Sequence, residues 1–155
     1  MTRFAHRIAV AGFVTLLSSC SSLRIDQVQF GWPVESVLTV TNANLVQDGF
    51  HGLSFNVAGI AGEEFQDTTA LVGKQIRLLR SNEGFYFLTG QKFHNVYVLT
   101  PGSHELSLKS KIAVSPGGLQ EPALNQRPPY VQLLDGKNLQ KMMLTSDAIV
   151  EGKQE

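Results

Sequence analysis

The sequence predicts an all-β protein, an antiparallel sandwich or small barrel of roughly seven to nine strands behind an apolar N-terminal helix. Three observations lead there. Apolar and polar residues alternate with period two in several stretches, most clearly over 104–115. Hairpin-favouring pairs, Asp48-Gly49, Pro101-Gly102 and Asp135-Gly136, separate these stretches. Beyond the first twenty residues almost nothing repeats at helical spacing.

The elements follow in order. Residues 37–46 are rich in β-branched side chains, and Asp48-Gly49 then turns the chain. Residues 50–57 return, with Leu53, Phe55 and Val57 on one face and Ser54 and Asn56 on the other. Glycines and acidic residues break the pattern over 58–73, read as a loop with one helical turn. Strands resume at 76–80 and, past Ser81-Asn82-Glu83-Gly84, at 85–88. In 95–100, Val96 and Val98 share one face and Tyr97 and Leu99 the other. Pro101-Gly102 suits the centre of a type II turn. Over 104–115, Leu106, Leu108, Ile112 and Val114 share a parity and are expected to face the core together. The prolines of 119–129 suggest an extended surface connection, because proline donates no ladder hydrogen bond. A last hairpin spans 130–134 and 137–144, with a short helix over 138–144 as the other option.

The N-terminus carries the strongest motif. Arg3, His6 and Arg7 form a basic head, residues 8–17 an uncharged core, and Leu17-Ser18-Ser19-Cys20 closes it. The core is too short to span a bilayer, which takes about 20 apolar residues. The segment resembles a bacterial lipoprotein signal with its lipobox. That resemblance implies a diacylglycerol thioether on the Cys20 thiol, cleavage between Ser19 and Cys20, acylation of the new amino group by a palmitate-like chain, and attachment to a lipid bilayer. Ser21 after the cysteine resembles an outer-membrane address, which implies a domain on the periplasmic side. The chain therefore divides into a signal peptide (1–19), a lipidated end with a short tether (20–29), one β-domain (30–150) and a frayed end (151–155).

Composition narrows the function. The chain has 155 residues with 13 basic and 13 acidic side chains, and loss of Arg3 and Arg7 with the signal leaves a slight acidic excess. A protein that grips nucleic-acid phosphates needs a basic face, so no nucleic-acid partner is expected. Cys20 is the one cysteine, so once it is lipidated no thiol remains for a disulfide, and the fold rests on its core.

No catalytic set emerges. There is no Gly-x-Ser-x-Gly elbow. His51, His94 and His104 sit beside turns, without His-x-His or His-x₃-His spacing, so no metal or cofactor is expected, although His94 and His104 flank one hairpin. Glu63, Glu64 and Asp67 form the densest acidic cluster, of the kind glycoside hydrolysis or calcium binding would use, but without an Asp-x-Asp-x-Asp spacing. Aromatics are the best interaction residues. In Phe85-Tyr86-Phe87 consecutive rings point to opposite faces, so either both faces are covered or one ring meets a partner. Trp32, Tyr86, Tyr97 and Tyr130 are the candidates for that partner surface. The expected function is a non-enzymatic accessory or structural subunit binding an envelope protein. Behind it stand a carrier of an apolar ligand inside a small barrel and, third, a cell-wall glycan hydrolase using Glu63 and Glu64.

Overall fold

The computed structural model describes residues 35–103, 105–137 and 140–150. Cys20, Ser19, Trp32 and His104, singled out by the sequence, lie outside the described residues. Eleven strands and one helix build three antiparallel sheets, sandwich-like and without a closed barrel among the described residues. The central sheet joins β1 (Ser36–Thr39), β4 (Gln75–Arg80), β5 (Tyr86–Gly90), β6 (Asn95–Pro101) and β7 (Leu106–Ala113) in the order β1-β4-β5-β6-β7. β2 (Leu45–Asp48) and β3 (Leu53–Asn56) form a hairpin that leads into helix α1 (Ala58–Phe65). β8 (Pro122–Arg127), β9 (Tyr130–Asp135), β10 (Gln140–Leu144) and β11 (Ile149–Val150) form the third sheet, in the order β11-β10-β9-β8.

Register sorts the central sheet into two faces. Leu78, Leu88 and Tyr97 align across three strands, and Leu79, Phe87 and Val98 align one residue over. Adjacent strand residues point to opposite faces, yet all six are buried. The sheet is therefore covered on both sides. On the first face, the Phe65 ring of α1 meets Phe93 edge-on at 5.4 Å, and His51 of the hairpin meets Tyr86 at 5.5 Å. On the second, Ser110 Oγ donates to the Ser146 carbonyl at 2.5 Å. Glu35 there ties two elements together, accepting from Arg77 Nη1 at 2.9 Å and from the Leu124 N–H at 2.7 Å. A strand covered on both sides reads as a continuous apolar run, which is why β5 and β6 lack the alternation of a one-sided sheet.

Several expectations need correction. The 37–46 stretch is two strands, because the chain turns over Thr41–Asn44, with the Asn44 N–H on the Thr41 carbonyl at 3.0 Å and Asn44 at φ 57°. Asp48-Gly49 is not a two-residue turn. Asp48 pairs with Leu53 across a four-residue loop, because the Asp48 carboxylate points inward and is bonded there. Pro101 pairs with Leu106 as the last residue of β6, so the turn is closed further on, by the Gly102 N–H on the Glu105 carbonyl at 2.7 Å. Part of 119–129 is a strand, β8. It tolerates Pro122 at its start because it is a sheet edge, and the cis Pro128-Pro129 pair forms the turn into β9. The last hairpin, by contrast, forms as expected: residues 140–144 pair with β9 as a strand, not as the alternative helix.

The largest correction concerns β7. Its register shifts between Val98 and Leu99, leaving Lys109 unmatched. One inserted residue turns every later side chain to the other face. Leu106 and Leu108 therefore lie on the opposite side from Ile112. Ile112 is 5 % exposed, whereas Leu108 is 54 % exposed.

Candidate functional site

Where the bulge leaves Leu108 exposed and Leu106 only partly buried, a groove opens. It begins as a cavity of about 460 Å³ between β3 and the β6–β7 turn. Leu53, Ser54, Phe55 and Asn56 form one wall, and Pro101, Gly102, Glu105 and Leu106 the other. A second cavity of about 330 Å³ shares Phe55, Asn56 and Leu106, and continues over Ile60, Leu99 and Leu108 to Glu63. All four residues of β3 line the first cavity. Consecutive strand residues point to opposite faces, so a cavity that touches all of them runs along the strand edge rather than over one face.

Two buried carboxylates fix the walls. Glu64, on α1, has no exposed side-chain surface. Its Oε2 accepts from Tyr97 Oη at 2.7 Å and from Asn95 Nδ2 at 2.9 Å. Its Oε1 accepts from the His94 backbone N–H, and His94 Nδ1 lies 3.0 Å away, which places a proton on that ring nitrogen. Burial opposes ionisation, but hydrogen bonds from Asn95, His94 and Tyr97 together outweigh it and hold Glu64 below the ordinary range. Burial first, then the bond to Glu64 and its charge, push the Tyr97 phenol far above its usual value. The arrangement clasps α1 to β6.

Asp48 does the same for the hairpin. It is 2 % exposed and lies 2.5 Å from His51 Nδ1, while Ser36 Oγ and the Phe50 N–H donate to it at 3.2 and 3.0 Å. Burial again opposes ionisation, and the His51 and Phe50 hydrogen bonds lead the effects that lower its pKa. The His51 ring stands edge-on between Phe50 and Tyr86, at 4.8 and 5.5 Å.

The predicted partner residues fare unequally. Tyr86 and Tyr97, at 5 % and 0 % exposure, are core residues, a correction that follows from the two-sided cover of β5 and β6. The Tyr97 hydroxyl is held by Glu64, and the residue borders the second cavity from within the core. Tyr130 is half-buried at the start of β9, away from the groove lining. Glu63 and Glu64 do not converge as an acid–base pair, because Glu64 is enclosed and Glu63 is bridged to Lys111. Asp67 is exposed and accepts from the Thr69 N–H and hydroxyl, both at 2.8 Å. No group of three or more His, Cys, Asp or Glu side chains converges as a metal site among the described residues. None of the described helices is long and apolar enough to cross a membrane.

Sequence reasoning missed Asp48, read as a turn residue, and the β3 edge. The signal for Asp48 was present in Asp48-Gly49-Phe50-His51, where the carboxylate stands three residues before an imidazole. The β3 edge carries no local signal. Comparison with known proteins gives no match, whether to a family model, a curated protein or a solved structure.

Proposed function

We propose that this chain is an outer-membrane lipoprotein, anchored through acylated Cys20, whose β-domain is a non-enzymatic accessory subunit that docks on an envelope protein through the groove. The single observation that carries the reading is Leu17-Ser18-Ser19-Cys20 behind a basic head and a short apolar core. One acyl chain gives only marginal binding and two make a stable anchor, so the domain needs no membrane-binding surface of its own. Support for docking comes from the groove, whose exposed Leu108 and half-buried Phe55 and Leu106 stand beside a strand edge. The barrel-carrier reading has less support, because the sheets of the described residues do not close and Phe87 and Val98 pack within the core. The hydrolase reading loses Glu64 to the clasp.

The test is Cys20→Ser expressed in a bacterial envelope. The wild type is expected in the outer-membrane fraction with an acyl mass on residue 20. The variant is expected as an uncleaved precursor or in the soluble fraction. Equal membrane attachment and mass for the two would overturn the proposal.

A further inference from the structure

We propose that the open edge of β3 takes up an extended segment of the envelope partner as an added strand, with apolar side chains at alternate positions and a basic residue beside Glu105. This rests on the reading of the domain as a partner-binding subunit and names the chemistry of that partner.

The argument begins with hydrogen-bond alternation. In an antiparallel pair, opposed residues alternate between bonding each other and turning their backbone groups outward. The Val57 N–H donates to the Asn44 carbonyl at 2.9 Å, one step beyond the Leu45–Asn56 pair. Phe55 and Leu53 therefore bond toward β2, and Ser54 and Asn56 turn their N–H and C=O groups away from it. Those outward groups meet no backbone partner among the described residues. They border the groove, so an incoming strand finds its main-chain bonds where it finds space.

Two other sheet edges, β7 and β8, are guarded, whereas β3 carries no charge, proline or bulge. β7 carries Lys109 and Lys111 and the bulge, and β8 carries Pro122 and Arg127; charge, proline and bulges all discourage strand pairing. β3 reads Leu-Ser-Phe-Asn. The groove beside it offers Phe55, Leu106 and Leu108 to alternate apolar side chains of a guest. Charge completes the description. Glu105 is exposed on the wall with the Ser107 hydroxyl donating to it at 3.4 Å, no Lys or Arg lines either cavity among the described residues, and Glu63 at the far end is already bridged to Lys111. That negative charge favours a basic guest residue.

The experiment selects a phage-displayed random decapeptide library on the full protein, purified from the envelope in detergent. Enriched peptides are expected to alternate apolar and polar residues and to carry Lys or Arg. A selected peptide is expected to slow amide exchange at Ser54 and Asn56. Ser54→Pro, which deletes one outward donor and leaves the β2–β3 bonds intact, is expected to weaken binding at least tenfold. N-methylation of the peptide on alternate amides is expected to do the same to the wild type, which covers the case of a variant that does not fold. Glu105→Lys is expected to weaken basic peptides selectively. No enrichment, or binding indifferent to N-methylation, overturns the inference. So does a self-associated dimer that Ser54→Pro dissociates, or protection of Ser54 by phosphatidylethanolamine–phosphatidylglycerol vesicles. Failure here with Cys20→Ser still displaced from the membrane sinks the strand-addition inference alone. Failure of the Cys20 test leaves the peptide result standing.

Discussion

Glu64→Ala is expected to destabilise the domain by about 3–5 kcal/mol, a large share of the roughly 5–15 kcal/mol that holds a typical domain folded. The size follows from what the carboxylate satisfies. Removing it strands the Tyr97 hydroxyl, 2.7 Å away at a fully buried residue, together with the Asn95 amide and the His94 N–H. A buried donor left without a partner costs about 1–3 kcal/mol. That applies in full to Tyr97, and less to the half-buried Asn95 and the exposed His94, while loss of the buried carboxylate's own packing adds to the total. Glu64→Gln keeps the shape but points an amide N–H₂ at donors, so it is expected to lose most of the same stability. Tyr97→Phe removes one bond and one stranded group together, and is expected to cost only about 1–2 kcal/mol. The pH dependence has a fixed sign. A carboxylate whose folded pKa is depressed contributes stability that is present above its unfolded value, here near 4.5, and lost as pH falls through the lower folded value. Urea midpoints of the wild type should therefore fall steeply below about pH 4.5. Asp48, depressed from 3.8, adds to that loss at lower pH. Glu64→Gln should flatten the upper part of the fall. A variant as acid-sensitive as the wild type, with an unchanged midpoint at pH 7, would show that the clasp contributes nothing.

That clasp marks the limit of what the sequence made legible. Glu64 was visible as an acidic residue beside Glu63, and Tyr97 as an aromatic in a strand. Their meeting spans 33 positions, and no local period encodes it. The strands themselves were legible where local chemistry decides them. Alternation marked β3, and turn residues bounded β4, β5 and β6. Phe85-Tyr86-Phe87 posed the right question, and the answer was two-sided cover, which depends on which distant elements pack where. Helix α1 was read as little more than a turn, because Gly59 and Gly62 are poor helix formers. Packing overrides that preference through buried Ala61 and the Phe65–Phe93 contact. The groove was illegible for a sharper reason. It exists because Lys109 is an extra residue, and a bulge preserves sequence parity while reversing the spatial face. Leu108 and Ile112 look identical on paper and end on opposite sides.

Gly118→Ala is the other substitution with a large expected effect, about 3 kcal/mol. Gly118 sits at φ +76°, where a side chain is disfavoured. An added Cβ would also stand 2.9 Å from the Lys92 carbonyl oxygen and 3.2 Å from the Lys92 Cα. Those are backbone atoms, which cannot rotate aside. The segment cannot retreat either: the Lys92 N–H donates to the Leu119 carbonyl at 2.6 Å, and the Leu119 N–H to the Phe93 carbonyl at 2.8 Å. Two controls separate the causes. Gly73, at φ +72° with open space around its Cβ position, isolates the conformational penalty, and Gly73→Ala is expected to cost about 1 kcal/mol. Gly117 has open space and no positive φ, so Gly117→Ala is expected within about 0.5 kcal/mol of wild type. Urea midpoints at constant slope order the three. If Gly118→Ala matches Gly73→Ala, the Lys92 backbone yields and the clash contributes nothing. If it exceeds it as expected, the strain also reaches the functional face. Phe93, pinned by this loop, packs on Phe65 of α1 and stands 6.2 Å from Tyr97, so the same variant should loosen the helix that carries Ile60 and Glu63 into the groove.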